Sequence, residues 1–90
     1  MDDGQTKIEI QVKTAGQLGE YLPPGSGRNT AQLMVPAGTT AAGLIAWLGM
    51  PTDQRYLVSV NGAVVPTGER DACVIEAGDR VAIMPPLRGG

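Results

Sequence analysis

Tyr56-Leu57-Val58-Ser59-Val60-Asn61-Gly62-Ala63-Val64-Val65 is the stretch on which the fold turns. Asn61-Gly62 lies between two β-prone runs, and both residues tolerate φ > 0, as the two central positions of a type I′ turn require. The stretch therefore predicts a strand over 56–60 and a short return over 63–65, which Pro66 ends. A two-stranded hairpin of this size does not stand alone in water, so the neighbouring segments must supply further strands or a helix.

Immediately upstream, the periodicity changes from two to 3.6. Ala41, Leu44, Ile45 and Leu48 follow the i, i+3, i+4, i+7 spacing of one helix face. A hydroxyl at Thr39-Thr40 caps the start, Gly49 supplies the C-terminal cap, and Pro51 prevents continuation. Trp47 reads as a packing residue at the helix edge rather than as a ligand platform. Further upstream, residues 7–13 alternate, with Ile8, Ile10 and Val12 on one face and Lys7, Glu9, Gln11 and Lys13 on the other. Residues 31–35 alternate in the same way and stop at Pro36. Between these strands, residues 14–21 allow a single helical turn, and residues 23–29 form a loop by their Pro, Gly, Ser and Asn content.

Downstream, Gly78-Asp79 forms a turn that launches a last strand over 80–84, with Val81 and Ile83 facing one way and Arg80, Ala82 and Met84 the other. Asp79 reads as a turn residue, and Cys73, within the apolar run 72–75, as a small buried hydrophobe. Two hairpin-like pairs are thus separated by one helix, and the final strand is left to insert between them. This is an α+β domain: a mixed sheet of about five strands folded over one main helix.

Ninety residues leave room for a single core. The expected organisation is a disordered lead over 1–6, a domain over 7–84 and a flexible tail over 85–90. Seven Lys and Arg against nine Asp and Glu, without basic clustering and with only Tyr21, Trp47 and Tyr56 as aromatics, argue against a nucleic-acid surface. One cysteine and no histidine exclude Cys/His zinc sites, His-based triads and an intramolecular disulfide. No signal-like segment or membrane-length apolar run is present, so a cytoplasmic location is the default expectation.

The last residues, Pro85-Pro86-Leu87-Arg88-Gly89-Gly90, are the best candidate for the working part. Two prolines hold the tail away from the body. The terminal carboxylate then sits on two residues with no Cβ, which suits passage through a narrow channel in another protein's active site.

In combination these features resemble the MoaD/ThiS family of sulfur-carrier proteins, a prokaryotic branch of the ubiquitin-like β-grasp fold. The residues that carry the likeness are Ile8 to Lys13, Val35-Pro36-Ala37-Gly38-Thr39-Thr40 entering the helix and Leu48-Gly49-Met50-Pro51 leaving it. Val58-Ser59-Val60-Asn61-Gly62, Glu76-Ala77-Gly78-Asp79-Arg80-Val81 and Met84-Pro85-Pro86 with the terminal Gly89-Gly90 complete it. The Pro85-Pro86 pair and the length are most similar to the molybdopterin-synthase small subunit. The resemblance implies that the chain is not an enzyme but a substrate. Its Gly90 carboxylate would be adenylated by a ubiquitin-activating-type adenylyltransferase and converted to a thiocarboxylate, with Leu87, Arg88, Gly89 and Gly90 entering the partner's active site. No cofactor would be bound by this chain, since ATP and any metal would belong to the activating partner. A larger molybdopterin-synthase subunit, or another sulfur-accepting enzyme, is the implied second partner.

The same arrangement places the last strand antiparallel to the one before the Asn61-Gly62 turn. Met84 then lies beside Leu57, and Leu57, Ala82 and Met84 face away from the helix as an expected docking patch. Two alternatives stay open on the sequence: a ubiquitin-like modifier joined to target lysines through Gly90, and a β-grasp interaction module with no carrier role.

Overall fold

The computed structural model describes residues 6–23, 26–51 and 55–85. The alternating segment near the start forms β1, Lys7–Thr14, with Ile10, Val12 and Thr14 buried and Lys7, Glu9, Gln11 and Lys13 exposed. It pairs antiparallel with β2, Thr30–Pro36, placing Ile8 opposite Val35 and Val12 opposite Ala31. The second hairpin joins β3, Leu57–Val60, to β4, Ala63–Val64. Its two-residue turn has φ of 53° at Asn61 and 87° at Gly62, the pair of positive values that a type I′ turn demands. The last strand, β5, Arg80–Met84, runs parallel to β1 and antiparallel to β3. The sheet order is therefore β2-β1-β5-β3-β4, with the last strand inserted between the two hairpins. The one α-helix among the described residues, α1, Ala41–Trp47, connects β2 to β3 and packs on one face of the sheet, the β-grasp arrangement.

The donors at the start of α1 are all taken within the chain. Ala41 N–H donates to the Cys73 carbonyl at 2.9 Å and Ala42 N–H to the Arg70 carbonyl at 3.2 Å. Gly43 N–H donates to the Thr40 hydroxyl at 3.0 Å, and Leu44 N–H closes the first helical bond on the Thr40 carbonyl. The irregular segment after β4 thus serves as the helix cap, and a single bridge between Thr40 and Val74 fixes it there. At the other end, Gly49 has φ of 81°, and its N–H donates to the Ala46 carbonyl while Met50 N–H reaches the Ile45 carbonyl. This is a Schellman cap, and Met50 and Ile45, its apolar partners, are both buried in the core.

Leu44 and Ile45 project from α1 into a core that includes Ile10, Val12, Leu33, Val35, Val58, Val81 and Ile83 from the sheet. Leu48, just past the last helical residue, completes the stripe. Ile75 and Tyr56 close the core below the cap. One buried charge holds the irregular segment in place. The Arg70 guanidinium donates from Nη2 to the Tyr56 carbonyl and from Nε to the Val65 carbonyl at 3.5 Å, so the side chain ties its own segment to the residues that flank the second hairpin on either side.

Some expectations shift. Cys73 is half-buried rather than buried: it packs against the edge of the core, while its carbonyl accepts from Ala41 N–H. Trp47 is 47% exposed, since the short helix turns that position outward. The helical turn after β1 is a 3-10 segment, Gly16–Tyr21. Thr6, at the edge of the expected lead, is tied by its carbonyl to Ala37 N–H at 3.0 Å, whereas the rest of that lead lies outside the described residues. So do Pro86 and the expected tail residues Leu87, Arg88, Gly89 and Gly90.

The 3-10 segment packs closely on the chain entering β2. A Cβ at Gly19 would stand 2.0 Å from the Arg28 carbonyl oxygen and 2.9 Å from Asn29 Nδ2. Asn29 in turn donates to the Thr14 hydroxyl at 2.9 Å, which satisfies a buried oxygen at the end of β1. Because the contact is with backbone, relief requires moving two segments. Gly19→Ala is expected to cost about 1–3 kcal/mol by overpacking, measured by chemical denaturation, while Gly68→Ala, in open space, changes stability by less than about 0.5 kcal/mol.

Candidate functional site

The face of the sheet turned away from α1 is built by register. At the end from which the chain leaves β5, Leu57 pairs with Met84. The next row of the same face, about 7 Å along the strands, runs Val64, Ser59, Ala82, Lys13 and Thr30 across all five strands. Beyond it, Arg80 lies beside Gln11, and Gln11 beside Gln32. The face thus changes from apolar at the root of the tail to polar and basic farther away.

Leu57, Ala82 and Met84 are brought together as parity required. Leu57 is 43% exposed, and Ala82 and Met84 are half-buried. Val64, 61% exposed and paired across Ser59, belongs to the same face. Sequence reasoning missed it, although the two-residue turn was the signal: a two-residue loop pairs Val60 with Ala63 and therefore Ser59 with Val64.

The far end of this face is held rigid by a polar clamp. The Asn61 side chain donates from Nδ2 to Asp79 Oδ1 at 2.9 Å and accepts from Arg80 N–H at 2.9 Å. Asp79 Oδ2 accepts from Glu76 N–H at 2.8 Å, closing its own turn, where Gly78 has φ of 86°. Asp79 is thereby a turn residue, as read from the sequence. The clamp fixes the two turns to each other and so sets the register of β5 against β3.

Among the described residues no three His, Cys, Asp or Glu side chains come together as a metal site. What the face carries is an apolar patch, Leu57, Met84 and Val64, at the end of β5. Leu57→Glu or Met84→Glu is expected to leave folding intact, because neither side chain belongs to the core. If this patch is the dock, affinity for a partner protein falls at least tenfold, about 1.4 kcal/mol, by titration calorimetry. Unchanged affinity in both variants would move the docking surface elsewhere.

The strand order and the helix packed on the sheet define a ubiquitin-like β-grasp protein. The sequence matches the ThiS family over residues 11–90, and the chain belongs to that family of ubiquitin-like sulfur carriers. The comparison with curated proteins finds no match. Among solved structures, the chain is similar to the HVO 2177 protein of Haloferax volcanii, with 19% identity, TM-score 0.75, and coverage of 100% of this chain and 93% of that one. It is similar to a putative molybdopterin converting factor, subunit 1, of Pyrococcus furiosus, with 18% identity, TM-score 0.65, and coverage of 89% and 99%. The small archaeal modifier protein 1 of H. volcanii is also similar, with 21% identity, TM-score 0.63, and coverage of 89% and 99%. At these identities the structural likenesses establish the fold. No helix among the described residues is long and apolar enough to cross a membrane.

Proposed function

We propose that the chain is a sulfur carrier whose Gly90 carboxylate is activated as an acyl adenylate and converted to a thiocarboxylate. The observation that carries this reading is the family match, which extends through Gly89-Gly90. A carboxylate with a pKa of about 3.5 is ionised and unreactive at neutral pH. Its oxygen attacks the α-phosphorus of ATP, pyrophosphate leaves, and the carbonyl carbon gains AMP as a leaving group. A sulfide or enzyme persulfide then displaces AMP. With a persulfide, a thiol reductant cleaves the resulting acyl disulfide to release the thiocarboxylate.

This chain's part is to bind by its sheet face and to extend Leu87, Arg88, Gly89 and Gly90 into the partner. ATP and any metal are held by the partner, a ubiquitin-activating-type adenylyltransferase, and the reaction takes place in the cytoplasm. Sulfur delivery to molybdopterin is the favoured pathway, supported by the likeness to a protein named as subunit 1 of a converting factor. A larger subunit would then be the acceptor partner.

A modifier role is the second reading, and the likeness to small archaeal modifier protein 1 favours it. Both readings begin with the same adenylate and differ in whether a target lysine takes the acyl group. The activation step is tested by ATP–pyrophosphate exchange with the host's ubiquitin-activating-type enzyme. Exchange that depends on added chain is expected; a chain that elicits none overturns the proposal.

A further inference from the structure

Among the described residues, the cations at the basic end of the outer face have no acidic partner. A shallow groove there is lined by Gln11, Lys13, Thr30, Ser59, Arg80 and Ala82. Its shape follows from the register. Ala82 sits between Lys13 on one side and Ser59 on the other, so a methyl group forms the floor where every neighbour has a longer side chain. Lys13 and Arg80 rise at the rim, and neither forms an ion pair among the described residues. The outward strand positions carry Lys7, Lys13 and Arg80 against Glu9 alone, although the whole chain has a net charge of −2. Positive charge is therefore segregated onto this face against the sign of the molecule. Asp79, the nearest acid in sequence to Arg80, is engaged by Asn61 and by Glu76 N–H instead.

We infer that this groove receives acidic side chains of the activating enzyme, so that docking is bipartite: apolar contacts at Leu57 and Met84, and carboxylates against Lys13 and Arg80. The inference rests on the carrier reading and adds the chemistry of the surface that recognises the face. Groove and apolar patch lie in adjacent rows of one sheet, so a single partner surface spans both. Ser59, Thr30 and Gln11 add hydroxyl and amide groups that can hydrogen-bond carboxylate oxygens left over by the two cations. Opposite charges at such a surface speed encounter and fix orientation, and salt screens them. The apolar row next to the tail then holds the complex once it is oriented.

The experiment is ATP–pyrophosphate exchange with the host's activating enzyme at varied carrier concentration, for the wild type, Lys13→Glu, Arg80→Glu and Lys7→Glu. All three variants change charge by the same amount, but Lys7 lies at the far end of β1, opposite Pro36 and outside the groove. Lys13→Glu and Arg80→Glu should each raise KM about fivefold or more with kcat changed less than about twofold, whereas Lys7→Glu should leave KM within about twofold. The wild-type KM should rise as ionic strength increases from about 0.05 M to about 0.3 M, and those of the two groove variants should rise less. Thermal unfolding of each variant, with all three positions exposed, confirms that the fold is retained. Equal KM values for the wild type and the groove variants would overturn the proposal, as would an equal effect of Lys7→Glu. Wild-type chain that supports no exchange at all would instead refute the carrier reading itself.

Discussion

Deleting Gly90 is expected to abolish ATP–pyrophosphate exchange while leaving the folded domain unchanged. The reacting atom in the proposed chemistry is the carboxylate oxygen of that residue, and moving it back by one position withdraws it from the partner's nucleotide by a full residue length, about 3.3 Å. Near-attack geometry tolerates far less, since a misplacement of about 1 Å costs on the order of a hundredfold in rate. Gly89→Val should act almost as strongly. A β-branched residue narrows the backbone choices that glycine leaves open and adds bulk where a channel must close around main chain. Both changes lie beyond Met84, the last residue of β5, and so outside the core. Unfolding free energy should move by no more than about 0.5 kcal/mol. Exchange at the wild-type rate by the deletion variant would show that Gly90 is not the activated residue.

The largest expected effect on stability is at Leu44, which has no exposed surface and lies on the helix face that covers the sheet. Leu44→Ala removes the side chain from a core of branched residues on three strands, among them Val12, Val35 and Ile83, which cannot easily collapse into the space. The cost should be about 2–5 kcal/mol. A domain of this length holds only about 5–13 kcal/mol in total, so one substitution takes a large share. Leu48→Ala should cost less than Leu44→Ala, because Leu48 keeps 8% of its surface and stands at the helix cap, where neighbours can relax. A denaturation midpoint showing a loss below about 1 kcal/mol for Leu44→Ala would mean that α1 does not plug the sheet.

Much of this architecture was legible because the longer strands show their side-chain alternation openly. Ile10 and Val12, Leu33 and Val35, Val58, and Val81 and Ile83 all point inward as their spacing indicated. Asn61-Gly62 and Gly49 revealed their backbone conformations because few other residues accept positive φ. The segment between β4 and β5 was not legible. Its job is to satisfy the first N–H groups of α1 with the carbonyls of Arg70 and Cys73, and backbone carbonyls leave no trace in side-chain pattern. Arg70 was overlooked for a related reason. An arginine in an irregular stretch ordinarily reads as solvent-exposed, and only the carbonyls of Tyr56 and Val65, brought near by the fold, make its burial tolerable.

The apolar patch of the outer face was readable in part. Leu57, Ala82 and Met84 followed from parity once the order of strands was assumed, whereas Val64 needed the register of the hairpin as well. The basic groove escaped notice because Lys13 and Arg80 are remote in sequence and become neighbours only through the parallel pairing of β1 with β5, which sets Gln11 beside Arg80 and Lys13 beside Ala82. Parallel pairing has no local turn to announce it.

The central claim, that Gly90 carries sulfur, is tested most directly by the intact mass of the chain purified without reductive or acidic treatment from its native host. A fraction of the protein should be heavier than the sequence mass by the difference between one sulfur and one oxygen. Oxidation at Cys73 or a methionine adds nearly the same mass, so the sample is also treated with a thiol alkylator and its C-terminal peptide sequenced. The account predicts one alkyl group on the terminal carbonyl sulfur of Gly90, absent from protein made in a host lacking the activating enzyme. A C-terminal peptide that is always an unmodified carboxylate, in cells where the activating enzyme is present and sulfur demand is high, would contradict it.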